Sequence, residues 1–225
     1  WRVGQAVTVG ESRVFVLSGA PPALAAEEPD EGMSTVPRAD RCIATVLVGD
    51  ISDYTVMVRK GLSEGLQHAV RRVYEALSVV VLAHGGTVKE FQGDAILAFW
   101  EGDAGGRQAV RACRAALALD ELTGRLAADG AVWPLPDFPL AMDWALSTGL
   151  VLLDSFGRTG PGGLSMMGEP VVRAFRMEKF ASAETGRILA CLTTRDAAGQ
   201  AFAFRDLGER TAKGFDRPER LFALE

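Results

Sequence analysis

Cysteine and histidine are too scarce in this chain to build a cross-linked or zinc-bound scaffold, with three cysteines and two histidines in 225 residues. Cys42, Cys113 and Cys191 lie far apart in apolar or helical contexts and read as buried thiols of a reducing compartment. His68 and His84 have no Cys or His at ligand spacing. There is no run of about 18 uncharged apolar residues and no basic, apolar, small-residue leader, so neither a membrane span nor a signal peptide is expected in this segment. A cytoplasmic location without membrane contact follows as the expectation. Positive charge is also short. Lys and Arg number 24 against 29 Asp and Glu, a net charge of −5, which argues against the basic stripe of a nucleic-acid or membrane-surface binder. A polyanionic ligand would have to meet a few local cations and metal.

What is present supports a sizeable core. Apolar residues make up 48% of the chain, enough for one main domain and an appendage. Residues 1 to 19 alternate around Gly10-Glu11-Ser12 and predict a β-hairpin. Residues 20 to 40 carry Pro21, Pro22, Pro29 and Pro37 among Glu27, Glu28, Asp30 and Glu31, which is linker composition. A start at Trp1 suggests a processed or truncated chain, with the hairpin as the tail of an upstream β module. The expected division is therefore 1–40, hairpin and linker, and 41–225, the main domain.

Within the main domain, a strand rich in β-branched residues runs to Val48. Leu62, Leu66, Val70, Val73, Leu77 and Val81 recur at spacings of three and four and predict a helix closed by His84-Gly85-Gly86. Strands are expected over Thr87–Phe91 and Ala95–Trp100, then a second helix near Gly105–Leu126. Two more strands, Leu140–Thr148 and Leu150–Phe156, are expected to hinge at Gly149, before a Gly-rich arm at Gly157–Gly163 and a third helix over Pro170–Ala181. Short strands close the chain. This order predicts an α+β fold with a ferredoxin-like or palm-like antiparallel sheet and helices packed on one face of it.

Two acids stand out. Asp50 ends the apolar run Ile43-Ala44-Thr45-Val46-Leu47-Val48-Gly49, and Asp94 sits in a tight turn, Phe91-Gln92-Gly93-Asp94-Ala95. Strand-end carboxylates delivered into Gly-containing turns suit a hard cation, which prefers oxygen ligands. Taken singly, each is more readily an ordinary turn residue, and it is their combination that favours the metal site.

Thr45-Val46-Leu47-Val48-Gly49-Asp50-Ile51-Ser52-Asp53-Tyr54-Thr55 resembles the opening motif of the class III nucleotide cyclases, the adenylate and guanylate cyclase family. His84 to Ala95 resembles that family's second metal motif. Ser147-Thr148-Gly149 and Gly168-Glu169-Pro170-Val171-Val172-Arg173-Ala174-Phe175-Arg176-Met177-Glu178 resemble its strand-turn signature and catalytic helix, and Lys213-Gly214-Phe215 falls where the family has a basic segment. The match spans about Arg41 to Glu225. It implies conversion of ATP or GTP to the 3′,5′-cyclic monophosphate and pyrophosphate, with two Mg²⁺ or Mn²⁺ ions held by Asp50, Asp94 and the backbone of Ile51. It also implies backbone amides of Ile51, Ser52, Asp53, Tyr54 and Thr55 around the phosphates, with Lys213 as a further nucleotide contact. Ser52 or Thr55 is equally readable as a helix N-cap.

Arg176 occupies the position of the family's transition-state arginine. The asparagine one turn earlier is here Val172, which neither donates nor accepts a hydrogen bond, and neighbouring Arg173 points about 100° away. At the base-reading positions stand Glu90, a guanylate-type residue, and Ser165, so guanine preference or weak discrimination is expected. Lys89 would point to the other face of a regular strand. Asp53 replaces the family's usual Gly in the phosphate turn. A head-to-tail homodimer with sites at its interface is implied, and a catalytically inactive nucleotide-binding regulatory module is the alternative. No GGDEF-like hairpin is present, which removes support for a diguanylate-forming domain.

Overall fold

A computed structural model describes residues 6–9, 12–15, 40–60, 63–102, 107–154, 164–211 and 217–225. The expected linker, the Gly157–Gly163 arm with Arg158, and Lys213 lie outside these residues. The chain divides into two compact units, Trp1–Val36 and Pro37–Glu225. In the first, β1 (Ala6–Val9) and β2 (Ser12–Phe15) form the expected antiparallel hairpin.

The second unit is organised around β3 (Asp40–Ile51), whose segment Ala44–Gly49 is buried on both faces. A strand covered on both sides reads as an apolar run rather than an alternation. Beside it lie β4 (Thr87–Gln92), β5 (Ala95–Gly102), β6 (Met142–Asp154), β7 (Ser165–Met167), β8 (Ile188–Cys191), β9 (Phe204–Arg210) and β10 (Glu219–Leu224). The main path of the sheet runs β4-β5-β3-β6-β8-β10-β9, with β7 paired to β6. Every pairing is antiparallel except β6 with β8.

The helices are α1 (Tyr54–Arg59), α2 (Ser63–Ala83), α3 (Arg107–Ala128), α4 (Glu169–Glu178) and α5 (Leu192–Ala198). Leu66, Val70, Val73, Leu77 and Val81 of α2 are all buried, as their spacing predicts. They pack with Leu47, Ile51, Trp100 and Trp144 in one core layer. Ala44, Val46 and Val48, pointing the opposite way from β3, pack with Ala174 of α4. The helices thus cover both faces of the sheet, not one. No helix among the described residues is long and apolar enough to cross a membrane.

Two further expectations change. Gly149 is no hinge, because β6 continues through it and pairs it with Ala44. Its small size is needed for another reason, since a Cβ there would stand 2.8 Å from Pro170 Cγ at the start of α4. The end of the chain holds α5 as well as strands. Its Thr194 joins a buried hydroxyl chain in which Thr45 and Thr148 lie 2.8 Å apart and Thr148 and Thr194 lie 2.9 Å apart.

Candidate functional site

Asp50, one residue from the end of β3, stands opposite Ala95 of β5 and Asp143 of β6. Asp94 lies in the turn between β4 and β5, where Gly93 takes φ +64, a conformation suited to glycine. The Ile51 amide donates to the Asp94 carbonyl at 3.1 Å and the Tyr74 hydroxyl to the Gly93 carbonyl at 3.3 Å, fixing this turn to β3 and α2. Tyr74 in turn stacks on Phe91 at 4.3 Å. Both acids open into one cleft of about 390 Å³, lined also by Ile51 to Val56, Asp143, Glu178 and Lys179.

The electrostatics of the pair are unfavourable without a cation. Burial pushes the Asp94 carboxyl above its ordinary range and the nearby Asp50 charge pushes it further, against opposition from a backbone hydrogen bond and the Lys179 charge. Burial and the same two acids raise the Tyr74 hydroxyl. Asp50 Oδ1 is buried with no hydrogen-bond partner among the described residues. An orphaned carboxylate oxygen beside a second, crowded carboxylate suits a hard cation, so these residues fit the metal that the resemblance implies. Among the described residues no group of three or more His, Cys, Asp or Glu converges on one point. Two carboxylates completed by water and phosphate oxygens is the mode magnesium tolerates.

Five neighbouring backbone positions were expected around the phosphates. The Ile51 amide is committed to Asp94 and the Ser52 amide to the Ala141 carbonyl at 2.9 Å, whereas Tyr54 and Thr55, in the first turn of α1, have no preceding helical carbonyl to reach. Neither Ser52 nor Thr55 caps α1. Asp53 is the N-cap, in a left-handed conformation of φ 62 and without a side-chain capping bond. The Ser52 hydroxyl donates instead to Asp143 Oδ2 at 2.8 Å, and Arg187 holds the other Asp143 oxygen at 3.0 Å.

Glu90 and Lys89 depart from a regular strand. The register of β4 against β5 slips between Val88 and Glu90, a bulge that breaks the alternation of side chains. Lys89 Nζ therefore lies 3.1 Å from Glu90 Oε2 instead of on the opposite face, and Gln92 Nε2 donates to Glu90 Oε1 at 3.0 Å. Ser165 opens β7 opposite Asp154. Arg176 and Val172 are exposed on α4, and neither lines the cleft. Arg173 is engaged with Glu169 and with Glu219 at 3.4 Å, so it does not substitute for the missing asparagine.

Lys179, Glu178 and Asp143 were not singled out from the sequence. The Lys179 ammonium sits 2.8 Å from Asp50 Oδ2 and 2.8 Å from Glu178 Oε2. Burial works against its charge, yet these two hydrogen bonds outweigh that and hold the ammonium above its ordinary range. The only sequence signals were an acid in the apolar run around Trp144 and a Glu-Lys pair closing α4.

With this geometry in hand, the comparisons are specific. The fold matches the adenylyl cyclase CyaB of P. aeruginosa with a TM-score of 0.73 at 23% identity, covering 84% of this chain and 96% of that one. The chain has the class III nucleotide cyclase fold. A guanylyl cyclase, Cya2, matches with a TM-score of 0.66 at 25% identity over 83% of this chain and 93% of that one. In sequence, Adenylate cyclase 1 of Rhizobium meliloti is 29% identical over 171 residues, 76% of this chain. This cyclase-like chain spans only 25% of that relative's length. No family model matches. The resemblance to the class III cyclases seen in the sequence is borne out.

Proposed function

We propose that the unit from residue 37 onward binds a nucleoside triphosphate with divalent metal and cyclises it to the 3′,5′-cyclic monophosphate, releasing pyrophosphate. The observation that carries this is the convergence of Asp50 and Asp94 on one cleft beside the first turn of α1, with Asp50 Oδ1 left without a partner among the described residues. Asp50, Asp94 and the Ile51 backbone are the groups to hold Mg²⁺ or Mn²⁺. Bound there, the metal supplies charge neutralisation and an acidified 3′-hydroxyl. The chain's own part is to orient the triphosphate with the Tyr54 and Thr55 amides. The 3′-hydroxyl gives its proton to water in the cleft, and its oxygen forms a bond to the α-phosphorus as the bond to the pyrophosphate oxygen breaks.

Arg176 meets the charge that develops on the α-phosphate, a fixed guanidinium acting where it is needed most. Because Arg176 lies outside the acid-lined cleft, it serves the acids of a second copy, as in the head-to-tail dimer the resemblance implies. Glu90 and Ser165, with Lys213 beyond the described residues, complete the nucleotide contacts.

A second reading has its own support. Val172 is apolar and 51% exposed where a ribose-orienting asparagine would stand, which favours an inactive nucleotide-binding regulatory module. The experiment is purified protein with ATP or GTP and Mn²⁺, scored for cyclic product beside Asp50→Ala and Val172→Asn. Product lost in Asp50→Ala supports the enzyme. Binding without turnover, with turnover gained in Val172→Asn, supports the module. For the base, displacement of a fluorescent nucleotide by GTP at least as well as by ATP is expected, and ATP winning by tenfold removes the role given to Glu90.

A further inference from the structure

Lys179 follows the last turn of α4 as its C-cap, and its side chain is 65% exposed while its partners Asp50 and Glu178 are 18% and 7% exposed. Only the charged tip is held in the cleft. Most of the side chain's surface is in water, so leaving the cleft sacrifices little packing. Three acids share this one ammonium, because Asp50, Asp94 and Glu178 all feel its charge. Of the other two cleft acids, Asp143 is answered separately by Arg187 at 3.0 Å and Asp53 is exposed to solvent. Lys179 reaches Asp50 Oδ2, whereas Oδ1 has no partner among the described residues. The lysine thus neutralises part of a site that carries more negative charge than it can balance.

We infer that Lys179 is a built-in counter-ion that competes with divalent metal for Asp50: it holds Oδ2 in the metal-free state, swings into solvent when metal binds, and thereby sets the metal concentration at which the site fills. This rests on the reading of Asp50 and Asp94 as the metal acids. A divalent ion on Asp50 repels the ammonium 2.8 Å from Oδ2 and takes over the charge it was balancing, and the lysine, being tethered and exposed, is the group able to move. A nucleotide delivered with its own metal meets the same exchange, so Lys179 raises the threshold for the loaded state without touching substrate.

The test is calorimetric titration of the full chain with Mn²⁺ alone, in low salt and without nucleotide. Wild type is compared with Lys179→Met, Lys179→Gln, Lys179→Arg and Asp50→Ala, and thermal melts in the absence and presence of Mn²⁺ confirm folding. The neutral variants Lys179→Met and Lys179→Gln bind Mn²⁺ about tenfold or more tighter, the scale expected when a like charge a few ångströms away is removed. They also show a larger Mn²⁺-induced rise in melting temperature. Lys179→Arg, which keeps the charge, stays near wild type. Unchanged or weaker Mn²⁺ binding by both neutral variants, with binding lost in Asp50→Ala, overturns the competition while leaving the metal site standing. Undiminished Mn²⁺ binding by Asp50→Ala overturns the metal site itself and the competition with it.

Discussion

Asp53 adopts a left-handed backbone that glycine reaches freely and an L-residue reaches at a cost, and it does so at the lip of the cleft with its side chain exposed. Asp53→Gly removes both that strain and a negative charge near the expected phosphates. Triphosphate affinity is expected to rise severalfold in a nucleotide-displacement assay, while urea-denaturation stability changes by no more than about 1 kcal/mol because glycine loosens the unfolded chain too. A fall in affinity would show that Asp53 assists binding. Asp94→Asn tests the crowding of the acids. Removing one of two repelling carboxylates is expected to raise the metal-free melting temperature by about 2–4 °C for each kcal/mol relieved. The same change abolishes the further rise that Mn²⁺ produces, and an unstabilised Asp94→Asn would remove the repulsion argument. The sign follows from the raised Asp94 pKa: the charged carboxylate is disfavoured in the folded state, so its penalty is present at neutral pH and fades as pH falls and the group protonates. Asp50 and Asp94 were legible in the sequence because strand ends and glycine turns are local signals. Lys179 was not, since its contact with Asp50 spans 129 positions and no spacing rule reaches that far.

Local periodicity carries information about an element only when the element is long enough to repeat. Helix α2 declared itself through apolar residues three and four apart, whereas α5 has seven residues, too few for two full turns of pattern. Gly149 was misread for a different reason: glycine marks a break in many contexts, and here it marks the close approach of Pro170 instead. The bulge at Lys89 escaped the sequence because it is a property of pairing with β5, and pairing register is not written in one strand alone. The hydroxyl chain Thr45-Thr148-Thr194 ties β3, β6 and α5 together inside the core. Thr148→Val takes from the Thr45 hydroxyl its buried partner, while Thr194 keeps the Leu146 carbonyl at 3.3 Å, and is expected to lower unfolding free energy by about 1–3 kcal/mol in urea denaturation. A change within about 0.5 kcal/mol would show that the chain contributes nothing measurable.

At the scale of the whole molecule, the acids line the cleft and Arg176 does not, and the proposed function therefore draws one site from two copies arranged head to tail. Asp50→Ala and Arg176→Ala are each expected to be inactive. An equal mixture that re-equilibrates its subunits should regain roughly a quarter of wild-type activity, because half the dimers are mixed and each holds one intact site of two. No recovery in a mixture shown to exchange subunits would place acids and arginine in the same copy. The fold class was legible as a whole because the order of strands and helices leaves few ways to cover one sheet. The second covered face was not, since α4 declares its partner only once β3 is seen to be apolar on both sides. That same β3 is hydrogen-bonded to β5 on one side and β6 on the other, with twelve residues in register against β6 alone. Held in this way, it spans about 40 Å and resists stretching and slipping alike. A pull at Asp40 is therefore shared into β5 and β6 along the way, and Asp50 at the far end is insulated from it.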